Sequence, residues 1–164
     1  KDGYRLSIYD KNDITVRVDG DGQMDLRLIK YFINPIIDKK ALFTKGNRFK
    51  DLYFIKKMPN LRIIGNIFFS LIGNLITKNF KVFDFLNGYT AISNFALKKV
   101  LKKKLDDDYY FDTILIYQLN NLNFKILDIP MKAKYENEKN NINVLKTGIS
   151  FILKNILFLL GIKK

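Results

Sequence analysis

The 164-residue sequence contains no cysteine, no histidine and no tryptophan, and only three prolines. Without cysteine there is no disulfide framework and no thiolate nucleophile. Without histidine there is no imidazole base and no catalytic triad of the usual kind, and the two absences together exclude a zinc finger. Catalysis in such a chain must run on carboxylates, Lys, Arg, Tyr, amides or a metal held by oxygen, and a metal held that way is a hard ion such as Mg²⁺ or Mn²⁺. Acid is scarce too: 16 Asp and Glu stand against 29 Lys and Arg, a net charge of +13. That excess suits an anionic partner, either an anionic membrane surface or nucleic acid. Against nucleic acid, no RNP-type aromatic motif or helix-turn-helix signature is present and the basic residues are scattered rather than striped. What the chain has in quantity is apolar surface, 48% hydrophobic residues with 14 Phe and 9 Tyr, which excludes disorder as the main state.

The order of hydrophobic patterns predicts an α/β fold with a mixed sheet flanked by helices. Asp13 to Val18 (DITVRV) is a β-branched run, read as a buried central strand. It ends in Asp19-Gly20-Asp21-Gly22-Gln23, which is turn chemistry. A helix is expected from Asp25, with Leu26, Ile29, Phe32 and Ile33 on one face and Pro35 near its end, followed by a strand over Ala41–Thr44 and a loop at Gly46-Asn47-Arg48-Phe49. Leu61–Thr77 is apolar but broken by Arg62, Gly65, Asn66, Gly73 and Asn74, so it reads as a helix lying in a membrane interface or across an acceptor groove, not as a spanning helix. Further on, a strand over Tyr89–Ile92, helices over Asn94–Leu105 and Thr113–Leu122, and a strand over Phe124–Ile129 are expected. From Val144 the tail carries Leu145, Ile149, Ile152, Leu153, Ile156 and Leu160 at helical spacing, interrupted by Lys154. Residues 1–141 are thus read as one domain portion, and 142–164 as an amphipathic, membrane-associated or truncated transmembrane helix.

The sharpest chemical feature is Asp19-Gly20-Asp21 at the end of a strand, where open α/β sheets bind ligands. Two carboxylates one Gly apart can present oxygens to one hard cation, which would neutralise a departing diphosphate. Alone, such a triplet is more often a solvated or capping turn. In order along the chain, Val-Asp19-Gly-Asp21-Gly-Gln23-Met-Asp25, Gly46-Asn47-Arg48-Phe49, Met58-Pro59-Asn60-Leu61-Arg62 and Asp84-Phe-Leu-Asn87-Gly88-Tyr89 resemble the family 2 glycosyltransferases of the GT-A, Rossmann-like fold. Within them the sequence looks most like the branch of dolichyl- and polyprenyl-phosphate sugar synthases, over roughly Asp13 to Asn141.

The resemblance implies a division of labour. Asp19 and Asp21 match the DxD motif and would bind Mg²⁺ or Mn²⁺ and the donor, with Gln23 assisting. Arg48 and Arg62 would hold the acceptor phosphate, joined by Asn66 one turn after Arg62; an Arg fork suits phosphate oxygens. Asn87 and Gly88 would line the acceptor side, and Asp84 and Asp112 are the catalytic candidates should the acceptor be a hydroxyl that must lose a proton. Bland alternatives stand beside these: a turn cap for Asp84, a helix N-cap for Asp112 and a helix-start residue for Gln23. The implied reaction is inverting transfer of a sugar from a nucleotide-diphosphate donor to a polyprenyl-phosphate or glycan acceptor, at the cytoplasmic face of the cell membrane, in envelope polysaccharide or glycoconjugate synthesis. After Ile129-Pro130 the family's usual Arg and G-x-S-K stretch is replaced by Tyr135-Glu136-Asn137-Glu138-Lys139, a departure on the donor side. The family's P-x-Y-N-E strand is also absent, so the sequence is expected to be the C-terminal portion of a longer enzyme and inactive alone. The competing class is a non-enzymatic basic module that binds anionic membrane or nucleic acid.

Overall fold

The computed structural model describes residues 2–56, 58–78, 82–103, 111–132 and 153. Its strands are β1 (Ile14–Arg17), β2 (Phe43–Asn47), β3 (Thr90–Ser93) and β4 (Ile126–Pro130), and its helices α1 (Asp2–Tyr9), α2 (Ile29–Ile37), α3 (Leu52–Ile55), α4 (Asn60–Thr77), α5 (Asn94–Val100) and α6 (Phe111–Asn121). They build a four-stranded mixed sheet in the order β1-β3-β2-β4. β3 runs antiparallel to β1 and β2, and β4 runs parallel to β2. The expected α/β class therefore holds, with one correction. β1 is an edge strand among the described residues, half-buried throughout, and is not the central strand its β-branched run suggested. β1 and β2, joined through α2, run parallel with β3 inserted between them.

Strand alternation divides the core in two. On one face Phe43, Ile92 and Ile126 pack under α1, α4, α5 and α6 with Leu97, Leu115 and Phe69. On the other, Ala91 and Tyr89 meet α2, where Phe32 stacks on Tyr89 with ring centroids 4.0 Å apart, a contact worth about 0.5–1.5 kcal/mol beyond its buried area. The capping is local: Ser93 Oγ accepts from Ala96 N at 3.2 Å to start α5, and Asp25 caps a short 3-10 turn leading into α2. α5 stops at Val100, earlier than expected, where Lys103 N donates back to the Val100 carbonyl. The tail proposed as a helix from 142 lies outside the described residues except for Leu153, as do Tyr135–Lys139.

α4 is a helix as expected, and its buried side carries polar residues beside Phe69 and Ile76. Asn66, Ser70, Asn74 and Thr77 are buried, while Ile64, Ile67, Phe68, Leu71 and Leu75 are exposed. The buried polar groups have partners: Ser70 Oγ accepts from Phe85 N at 3.2 Å, and Thr77 Oγ donates to the Gly73 carbonyl at 2.8 Å. Gly73 allows the close approach, since a Cβ there would meet the Phe85 ring at 2.7–2.8 Å. Among the described residues no helix is long and apolar enough to cross a membrane.

Candidate active site

The strand directions decide where the site lies. The C-terminal ends of β1, β2 and β4 and the start of β3 all fall at one end of the sheet. The Asp19-Gly20-Asp21 turn leaves β1 there, Arg48 leaves β2, and Asn87-Gly88 enters β3. The register aligns Arg17, Thr90, Lys45 and Asp128 as one row across the four strands, on the face that carries Phe43 and Ile92. One row from the end, the hydrophobic core becomes polar.

That row is closed from above by the first turn of α6. Arg17 donates to Asp112 Oδ2 at 2.8 Å and, through Nε, to the Gly88 carbonyl at 3.0 Å. Burial opposes the charge on Arg17, but Asp112, with Tyr4 and Asp19, offsets it and holds the guanidinium above its ordinary value. Asp112 Oδ1 is buried without a hydrogen-bond partner. Lys45 is fully buried and its Nζ donates to the Asn87 carbonyl. Burial lowers its pKa, and Asp112, Asp84 and Asp128 act against that fall. Asp128 accepts from Asn47 Nδ2 at 2.5 Å and from Phe83 N at 2.9 Å, and burial pushes its carboxyl up to about 6.

The Asp84–Gly88 segment connects the charged groups. Asp84 is 0% exposed, in a left-handed conformation (φ 62°), and takes Arg48 in a two-point ion pair, Nε to Oδ2 at 2.7 Å and NH2 to Oδ1 at 2.6 Å. The Arg48 backbone N–H adds a third bond to Asp84 at 3.0 Å. Asn87 donates to Asp84 Oδ2 and to Met131 Sδ, and its Oδ1 receives the Tyr89 N–H. Gly88 packs directly on Asp19: a Cβ at position 88 would overlap the Asp19 carboxylate. Partial burial raises the Asp19 pKa, opposed by Arg17 and reinforced by Asp21 and Asp112. Asp21 Oδ1 accepts from Gln23 N at 3.0 Å, which shapes the turn.

Of the residues singled out in the sequence, Asp19, Gly88 and Asp112 come together around Arg17, Asp21 acts on Asp19 from the same turn, and Asn87 links the group to Asp84 and Arg48. Asp112 is the second residue of α6, inside its first turn. Asn66 is buried against Met58, with 3.8 Å between Nδ2 and Sδ, and Arg62 stands in the first turn of α4. Arg17, Lys45 and Asp128 were not among the sequence candidates. Among the described residues no three acidic side chains form a group that could hold a metal.

No family model matches the chain. The chain is 34% identical over 126 residues to the UDP-N-acetylglucosamine–dolichyl-phosphate N-acetylglucosaminyltransferase of Methanococcus voltae, covering 75% of this chain and 49% of that enzyme. It is 26% identical over 157 residues to an uncharacterized protein of Methanocaldococcus jannaschii, covering 94% of this chain and 64% of that protein. The chain thus spans between about half and two thirds of the length of these curated relatives.

Proposed function

We propose that the chain is part of a family 2 glycosyltransferase of the GT-A fold that transfers a sugar from a nucleotide-diphosphate donor to a polyprenyl phosphate. The convergence of Asp19 and Asp112 on Arg17 and of Asp19 on Gly88, with Asp21 beside Asp19 in the turn, at the C-terminal end of the sheet carries this reading. Similarity to a dolichyl-phosphate N-acetylglucosaminyltransferase supports it.

Asp19 and Asp21 are the residues that would hold Mg²⁺ or Mn²⁺. Two carboxylates, with no third beside them among the described residues, fit an ion that takes its remaining ligands from substrate phosphates and water. Their mutual repulsion, part of what raises the Asp19 pKa, is what a cation relieves. When bound, the ion supplies charge neutralisation for the departing diphosphate. Gln23 supports the turn through its backbone N–H on Asp21, and Gly88 keeps the Asp19 carboxylate in place by having no side chain.

The acceptor phosphate is assigned to Arg48 and Arg62, with Asn66 one turn beyond Arg62 and Asn87 and Gly88 on the acceptor side. Asp84 is fully buried and engaged by Arg48, which suits a positioning role better than proton uptake. That arrangement favours an acceptor that is already an anion and needs no general base. Asp112, with one oxygen on Arg17, is the carboxylate left for the role of base should the acceptor be a hydroxyl. The exposed apolar stripe of α4 matches a lipid-borne acceptor, since Ile64, Phe68, Leu71 and Leu75 can rest in the interface of the bilayer that supplies it. Net charge +13 favours an anionic cytoplasmic leaflet.

The test is transfer of labelled sugar from a panel of nucleotide sugars, UDP-N-acetylglucosamine first, to dolichyl phosphate by the full-length protein in lipid vesicles. Metal-dependent, lipid-extractable product that disappears in Asp21→Ala is expected. Absence of product with every donor, undiminished activity of Asp21→Ala, or steep salt-sensitive nucleic-acid binding without turnover would overturn the reading.

A further inference from the structure

A second feature lies away from the charged row. Between α1 and α5 is an open groove of about 540 Å³ lined by the apolar Ile8, Phe95 and Leu101 and by the cations Arg5, Lys98, Lys99 and Lys102. Phe95 is 57% exposed, backed by Phe124 at 5.7 Å between ring centroids, with Lys99 Nζ 5.9 Å from its ring. Among the described residues the one carboxylate paired with these cations is Asp2, 3.3 Å from Arg5 at an exposed position. The lining is thus almost entirely apolar in area and cationic in charge.

We infer that this groove binds an anionic phospholipid of the membrane, its phosphate among the four cations and the start of its acyl chains on Ile8, Phe95 and Leu101. Charge complementarity selects the anion, because Lys98, Lys99 and Lys102 carry three like charges within five residues at the end of α5 and a counter-charge relieves them. The apolar lining selects the amphiphile: free phosphate would leave Ile8, Phe95 and Leu101 in water, whereas a lipid covers them and lets the lysine stems lie along its chain. A nucleic-acid strand satisfies the cations but needs an open ring face, and Lys99 lies over Phe95. α1 and α5 cover the same face of the sheet as α4, so the groove and the exposed stripe of α4 belong to one helical layer. The inference goes beyond the transferase reading and stands without it.

The sequence has no tryptophan, so Phe95→Trp in the full chain puts a fluorescent reporter in the groove. Vesicles of 70% phosphatidylcholine and 30% phosphatidylglycerol should shift its emission to the blue, and phosphatidylcholine alone should not. Lys98→Gln, Lys99→Gln and Lys102→Gln combined should weaken the phosphatidylglycerol response on the order of 100-fold, three cations each contributing about fivefold. The same charge removed elsewhere, by Lys11→Gln, Lys30→Gln and Lys39→Gln, should leave most of it. The proposal is overturned if phosphatidylcholine works equally well, if both triple variants lose the same amount, if inorganic phosphate or an oligonucleotide alone gives the shift, or if no shift occurs. Sugar transfer to dolichyl phosphate in phosphatidylcholine vesicles reads the catalytic assignment separately, so either can fail without the other.

Discussion

Replacing Asp84 by Asn keeps the shape of the side chain, removes its charge and turns one of its two accepting oxygens into a donor. Asn tolerates the left-handed conformation that Asp84 adopts, with φ 62°, so backbone strain is not introduced. What changes is the environment of Arg48, whose side chain is 11% exposed and whose carboxylate partner is 0% exposed. Removing one member of a buried ion pair costs about 3–5 kcal/mol, because the surviving charge stays desolvated without its counter-ion. For a domain of this size that lowers Tm by roughly 6–20 °C. Urea unfolding followed by circular dichroism measures it, with Arg48→Met and the double variant completing a cycle that isolates the coupling. The double variant should be more stable than Asp84→Asn alone. A loss below about 1 kcal/mol for Asp84→Asn, with additive effects in the cycle, would mean the pair is solvated and Asp84 does not position Arg48.

Gly88→Ala should abolish sugar transfer while changing the melting temperature little, because the new Cβ displaces the surface-borne Asp19 carboxylate; Gly20→Ala, with nothing within 4 Å, is the matched control and should fold equally well. Equal activity of Gly88→Ala and the parent would remove Asp19 from the site. Asp128, raised to about 6 by burial, holds its proton in the folded chain over a range where the unfolded chain, near 4, has released it. Stability should therefore fall as pH rises from about 4 to 6, and Asp128→Asn should flatten that part of the pH–stability curve. An unchanged slope in the variant would place its origin in another group.

The relation between motif and structure differs from one feature to the next. Asp19, Asp21 and Gly88 are recognisable in the sequence because acidic and glycine residues at fixed spacing in turns carry a local signature, whereas Asp112 stands out only through the family resemblance. Arg17 and Lys45 carry none: in a chain with 29 Lys and Arg, a cation in a strand looks like any solvated one. Only the register, which pairs Arg17 with Thr90 and Lys45 with both Thr90 and Asp128, places them in a single buried row. α1 and α3 were not anticipated, being short segments of 8 and 4 residues with too few positions to display a helical period.

Periodicity and turn chemistry, both local, determined that this chain forms an α/β sheet and that an acidic turn follows its first strand. Strand order was beyond them, since pairing joins residues more than seventy positions apart, such as Ile14 and Ser93. The orientation of α4 was decided by tertiary packing as well. Its sequence shows an apolar helix interrupted by polar residues, and whether those residues face water or protein depends on what waits on the other side. Here that side offers the Phe85 amide to Ser70 and a ring surface to Gly73, so the polar stripe turns inward and the apolar stripe is left on the outside.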